Sequence, residues 1–108
     1  MKYLLLLLCA AGCLQQAFSQ SSADSSTAYF QKGVVEEKAR RFMVAFNQFQ
    51  KAIQFKADNI DALRELGVVA GEMRRYDNAI PAFEKVIALQ KDDAVATENL
   101  ANLYFWTR

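Results

Sequence analysis

Slid along itself by 34 residues, the chain repeats. Residues 26–59 match residues 60–93 at 11 of 34 positions, where average composition gives about two by chance. The identities are Ala28 with Ala62, Gly33 with Gly67, Val34-Val35 with Val68-Val69, Arg40-Arg41 with Arg74-Arg75, Ala45 with Ala79, Phe49 with Phe83, Lys51 with Lys85, Ile53 with Ile87 and Asp58 with Asp92. A third copy runs over residues 94–108, with Ala96, Ala101 and Arg108 in the same register. A unit this short buries too little apolar surface alone, so the copies must stack on one another.

Each copy contains an apolar stripe stepping by three and four: Ala45, Phe46, Phe49, Ala52 and Ile53 in the first, Ala79, Ile80, Phe83, Val86 and Ile87 in the second. That period is helical. A second helical stretch precedes each stripe, over 27–39 and 61–73, and the breaks near Arg41-Phe42 and Arg75-Tyr76 leave room only for a tight turn. Two antiparallel helices per repeat follow. The single proline, Pro81, falls about one turn into its helix, where its missing amide hydrogen does little harm.

A helix-turn-helix unit of this length and pattern resembles the tetratricopeptide repeat. In the second copy Leu63, Leu66-Gly67, Tyr76, Ala79, Phe83 and Val86 occupy the family's signature places; in the first, Tyr29, Gly33, Phe42, Ala45, Phe49 and Ala52 do; in the third, Leu100-Ala101 and Tyr104 do. Gly67 and Ala79 let two helices approach closely, and Phe83 and Leu66 fill the space beside that contact. The chain departs from the pattern at Glu36 and Ala70, where an aromatic is usual, at Lys32 beside Gly33, and at Ala57 and Lys91, where proline often ends the repeat. The resemblance implies an all-α solenoid of antiparallel helix pairs over residues 27–108, made of two repeats (26–59 and 60–93) and the first helix of a third (94–108).

Ahead of the array, Lys2 precedes twelve residues, 3–14, that are apolar or glycine, and Gln15-Gln16 ends the run. A bilayer span needs about 20 residues, so this is the core of a secretory signal peptide over 1–19 and not a membrane helix. Small side chains at Ala17 and Ser19 favour cleavage between Ser19 and Gln20. A second processing route stays open, because Ala10-Ala11-Gly12-Cys13 resembles a bacterial lipoprotein box that would acylate Cys13 and provide a lipid anchor. Either route exports the chain to the periplasm or cell envelope, or out of the cell. Residues 20–26, small and polar, read as a flexible linker whose last serines could cap the first helix.

Removing residues 1–19 takes both cysteines and Lys2, leaving 12 basic against 12 acidic residues and no thiol. Zero net charge argues against nucleic-acid binding, which rests on a surplus of Lys and Arg. With no histidine, no cysteine and no Gly-rich phosphate loop, the chain assembles no catalytic, cofactor or metal site. Glu36-Glu37 diverge on their helix, and Asp92-Asp93 suit a helix cap. Arg40-Arg41 and Arg74-Arg75 suit the carboxyl ends of first helices.

By resemblance, the partner is a protein or peptide held against the first helices of the repeats. Phe30, Val34, Arg64, Val68, Glu98, Asn102 and Phe105 are the residues placed on that face. Phe30, Val34 and Glu98 stand where some family members carry a clamp for a terminal carboxylate, so that activity does not transfer. The last helix carries Leu100, Leu103, Tyr104, Phe105 and Trp106 within seven residues. Such a surface is expected to meet a following helix of a longer array, or to serve self-association. The overall expectation is an exported adaptor or assembly scaffold of the bacterial envelope, with the docking part of a larger enzyme or transporter as the alternative.

Overall fold

The computed structural model describes residues 22–107, which form five helices and no strand. They are α1 (22–38), α2 (Phe42–Phe55), α3 (Ile60–Glu72), α4 (Tyr76–Leu89) and α5 (Ala94–Thr107). The architecture is the expected all-α solenoid of helix pairs. Helix α3 packs between α2 and α4, α4 packs on α5, and α3 touches α5 more lightly.

The repeat shows in the turns. Helices α1 and α3 both end in a left-handed arginine, Arg40 and Arg74, each with φ of 59°. In the first, Arg40 N–H donates to the Glu37 carbonyl and Arg41 N–H to the Glu36 carbonyl. In the second, Arg74 N–H reaches Gly71 and Arg75 N–H reaches Ala70. This double closure normally uses glycine at the left-handed position, because a Cβ there crowds the following carbonyl. The repeat accepts that strain twice in order to turn the chain within three residues.

Between repeats the chain is capped by side chains instead. Asn59 Oδ1 accepts the Ala62 amide at 3.1 Å to start α3, and Asp93 Oδ1 accepts the Ala96 amide at 2.9 Å to start α5. These two positions are equivalent in the repeat, and each satisfies a donor that the helix itself leaves free.

The beginning of the array differs from expectation. Residues 22–26 are helical, not linker, and Ser26 is fully buried within α1 rather than capping it. Its hydroxyl donates to the Ala52 carbonyl at 2.8 Å and accepts from Asn59 Nδ2 at 2.9 Å. One small polar side chain thus ties α1 to the end of α2 and to the cap of α3, and composition alone hides that role. Ser19, Gln20 and Cys13, the processing residues, lie outside the described residues. So does the signal segment itself.

Two aromatic rings hold the pairs together. A Cβ built on Gly33 would stand 2.5 Å from the Phe49 ring, and one on Gly67 would stand 2.7 Å from the Phe83 ring. Both rings are fully buried, so neither can retreat. Gly67→Ala is therefore expected to lose about 1–2 kcal/mol, the overpacking cost exceeding the gain in helix propensity. Gly71, one turn on, meets nothing within 4 Å. Gly71→Ala should instead stabilise by about 0.5–1 kcal/mol, since only backbone freedom changes. Urea unfolding of the two variants checks the opposite signs.

Helix α5 breaks the pattern of α2 to α4. Its apolar residues run round the helix; Ala96 and Leu103 are buried, while Phe105 and Trp106 are 76% and 74% exposed. Among the described residues, no helix is long and apolar enough to cross a membrane.

Candidate protein-binding groove

Helices α1, α3 and α5 present their shared face as a trough with two openings. The larger, about 580 Å³, lies between α1 and α3 and is lined by Val34, Glu37, Lys38, Arg40, Phe42, Glu65, Val68 and Glu72. The smaller, about 230 Å³, lies between α3 and α5 and includes Val68, Gly71, Glu72, Asn99, Asn102, Leu103 and Trp106. Val68 and Glu72 belong to both, so the openings join. Spacing explains the lining: Glu65, Val68 and Glu72 are three and four apart and share one face of α3.

The larger opening has an unusual charge state. Glu37 is pushed up to about 7, first by burial, then by the charge of Glu65 and a hydrogen bond to it, then by the charge of Glu72. Among the described residues the ion pairs are Arg41 with Glu36 and Arg64 with both Asp61 and Asp93. None involves these three carboxylates. Arg40, at the rim, lies over the Phe42 ring, 5.3 Å from its centroid. Lys38 completes the rim.

A raised carboxyl binds its proton more tightly in the folded state. Its contribution is therefore full below pH about 4.5 and is lost as pH rises through about 7. Asp93 works the other way. Held low by its hydrogen bond from Arg64 against the cost of burial, it stabilises above its ordinary value of 3.8 and fails as pH falls below that. Stability should thus peak near pH 5, about 1 kcal/mol above its value at pH 8 once solvent screening of Glu37 is allowed for. Chemical denaturation across pH checks this, and Glu37→Gln should flatten the limb between pH 5 and 8.

The seven residues placed on this face from sequence meet different fates. Val34 and Val68 come together in the larger opening, and Asn102 lines the smaller. Phe30 is half-buried and packs on Phe49 with ring centroids 5.9 Å apart. Arg64 is already engaged: its Nε donates to Asp93 at 3.0 Å, its second terminal nitrogen also reaches Asp93, and Nη1 donates to Asp61 at 2.9 Å. Its guanidinium joins repeats. Glu98 is exposed and lines neither opening, and Phe105 turns edge-on to Trp106, centroids 5.5 Å apart, also outside them. The sequence alone did not place Glu37, Glu65, Glu72, Asn99 or Trp106 on this face. The spacing Glu65-Val68-Glu72 would have found two of them.

A separate opening of about 380 Å³ lies among α2, α3 and α4, lined by residues that include Ile53, Leu66, Pro81 and Lys85. Among the described residues, no group of three or more His, Cys, Asp or Glu side chains is disposed to hold a metal ion.

No protein-family model matches the chain, and no curated protein does. Solved structures do. The crystal structure of MamA, a tetratricopeptide-like protein, superposes with a TM-score of 0.75 at 27% identity over 80% of this chain. The fold is a tetratricopeptide-like helical repeat. The chain spans 50% of the length of the MamA chain it matches. Folds of this kind typically serve as non-enzymatic scaffolds for protein partners.

Proposed function

We propose that the chain is an exported protein-interaction module that receives a partner segment along the trough of α1, α3 and α5, acting as an adaptor or assembly scaffold in the bacterial envelope. The observation that carries this reading is the joined opening from Val34 through Val68 to Asn102 on one face of a tetratricopeptide-like array. A trough with an apolar floor and polar walls suits an extended peptide, whose backbone needs hydrogen-bonding partners and whose side chains need pockets. Export is supported by the short apolar run behind Lys2, with cleavage after Ser19 and acylation at Cys13 as the two routes.

The test is selection of heptapeptides against the full chain. Selected peptides should lose binding to Val68→Asp, which places a charge on the trough floor, and keep it to Ile53→Asp in the separate opening. The reverse result would move the site to α2 and α4. Mass spectrometry of the amino terminus after expression in a bacterial host distinguishes the processing routes. An intact Met1 would remove both.

A second reading has its own observation. Phe105 and Trp106 are exposed together at the end of the array, which suits self-association or a further helix. Light scattering across a wide concentration range decides it: a monomer throughout removes the dimer.

A further inference from the structure

Resting on the trough as the binding face, we infer that its occupant is a basic segment, an extended peptide that sets a lysine or arginine side chain into the opening between α1 and α3. The opening has two parts. Val34, Phe42 and Val68 form an apolar surface, and Glu37, Glu65 and Glu72 set carboxylates around it. A long basic side chain matches both, since it buries a hydrocarbon stem while its head stays charged.

Charge complementarity fixes the sign. Among the described residues, the acids paired with cations are Glu36, with Arg41, and Asp61 and Asp93, both with Arg64. Among the described residues Glu37, Glu65 and Glu72 form no ion pair, although Lys38 and Arg40 stand at the rim of the same opening. Arg40 is drawn aside over Phe42. The helix ends add to the field. Glu37 lies in the last turn of α1 and Glu72 is the last residue of α3, where the helix dipole already places negative partial charge and no basic side chain stands in the last turn of α3. Carboxylates at such ends cost stability unless a cation arrives, and the proton affinity of Glu37 is raised first by burial and then by Glu65 and Glu72.

Among the described residues, no group of three or more such side chains is disposed to hold a metal ion, these three included. A guanidinium or ammonium on a flexible stem bonds several oxygens at once. The neighbouring opening suits the residues that follow. Asn99 and Asn102 offer amides to a peptide backbone, and the Trp106 ring offers a face to a second cation.

The chain contains a single tryptophan, Trp106, and it lines the trough, so its fluorescence reports occupancy directly. The probes are three capped heptapeptides of alternating valine and X, with X lysine, glutamine or glutamate. The lysine peptide should shift Trp106 emission and bind about tenfold or more tighter than the glutamine one, with the glutamate one not binding. Glu37→Gln combined with Glu65→Gln should lower the affinity for the lysine peptide by about tenfold. Asp77→Asn with Asp92→Asn, which removes the same charge from exposed sites outside the trough, should change it little. Circular dichroism confirms that each variant folds.

Outcomes separate the two claims. Equal affinity for the lysine and glutamine peptides, abolished by Val68→Asp, overturns the basic occupant and keeps the trough. Equal weakening by both charge-removing pairs also overturns it, as nonspecific attraction. No shift with any peptide overturns both.

Discussion

Phe83→Ala should cost about 3–5 kcal/mol and lower the melting temperature by roughly 20 °C, if the variant folds at all. The ring is 1% exposed and fills the space that Gly67 opens between α3 and α4, the central pair of the array. It belongs to one buried cluster with Leu63, Val69, Ala79, Val86, Ala96 and Leu103, so truncation leaves a void inside the core. Loss of the central pair removes the support of α2 and α5 together, so circular dichroism at 222 nm should fall in one transition. Phe49→Ala leaves a similar void at the outer pair, and there α1 should fray first while the later helices persist. Equal, mild losses of under about 1 kcal/mol at both positions would mean that the rings are not what joins the helices.

Asp93→Ala should cost about 3 kcal/mol, and its effect should be concentrated at α5. Two losses combine. The side chain caps α5 through the Ala96 amide, a contact worth about 1 kcal/mol, and it accepts charge-assisted hydrogen bonds from Arg64, worth about 1.5–3 kcal/mol. Asp93 is 4% exposed, so the pair is shielded from the solvent that makes surface ion pairs weak. Hydrogen exchange should show α5 amides losing protection before those of α3 and α4. Asp93→Asn keeps the cap and isolates the charge: it should cost less than Asp93→Ala, and Arg64→Ala, which strands a buried carboxylate, should cost at least as much as Asp93→Asn. Uniform loss of protection along the chain would contradict a local joint.

Local pattern made most of the architecture legible. The repeat at 34 residues, the three-and-four stepping of Ala45 to Ile53 and of Ala79 to Ile87, and the glycine opposite each aromatic define the helix pairs before any coordinate is known. Asp93 as a cap was legible too, because an acid just ahead of an apolar helix has few other uses. What escaped depends on contacts between elements far apart in sequence. Ser26 looks like linker because a mostly small and polar run, residues 20–25, leads into it, yet stacking drops it onto Ala52 and Asn59. Arg64 looks like a groove cation because of its place in the repeat, yet Asp93, 29 residues on, claims it. The acid set escaped for the same reason. Glu37 belongs to one repeat and Glu65 and Glu72 to the next, so no spacing within a single helix brings all three together. Glu98 and Phe105 were placed on the right helix but outside its openings.

The central claim is that a partner peptide lies along α1, α3 and α5. Amide chemical-shift mapping of the isotopically labelled chain during titration with the alternating valine-lysine heptapeptide tests it most directly. The expected result is a saturable set of shifts confined to the neighbourhood of Val34, Glu37, Glu65, Val68, Glu72 and Asn102, with the Trp106 indole moving in step. Shifts centred instead on Ile53, Leu66 and Pro81 would contradict the account, because they would place the peptide in the opening among α2, α3 and α4.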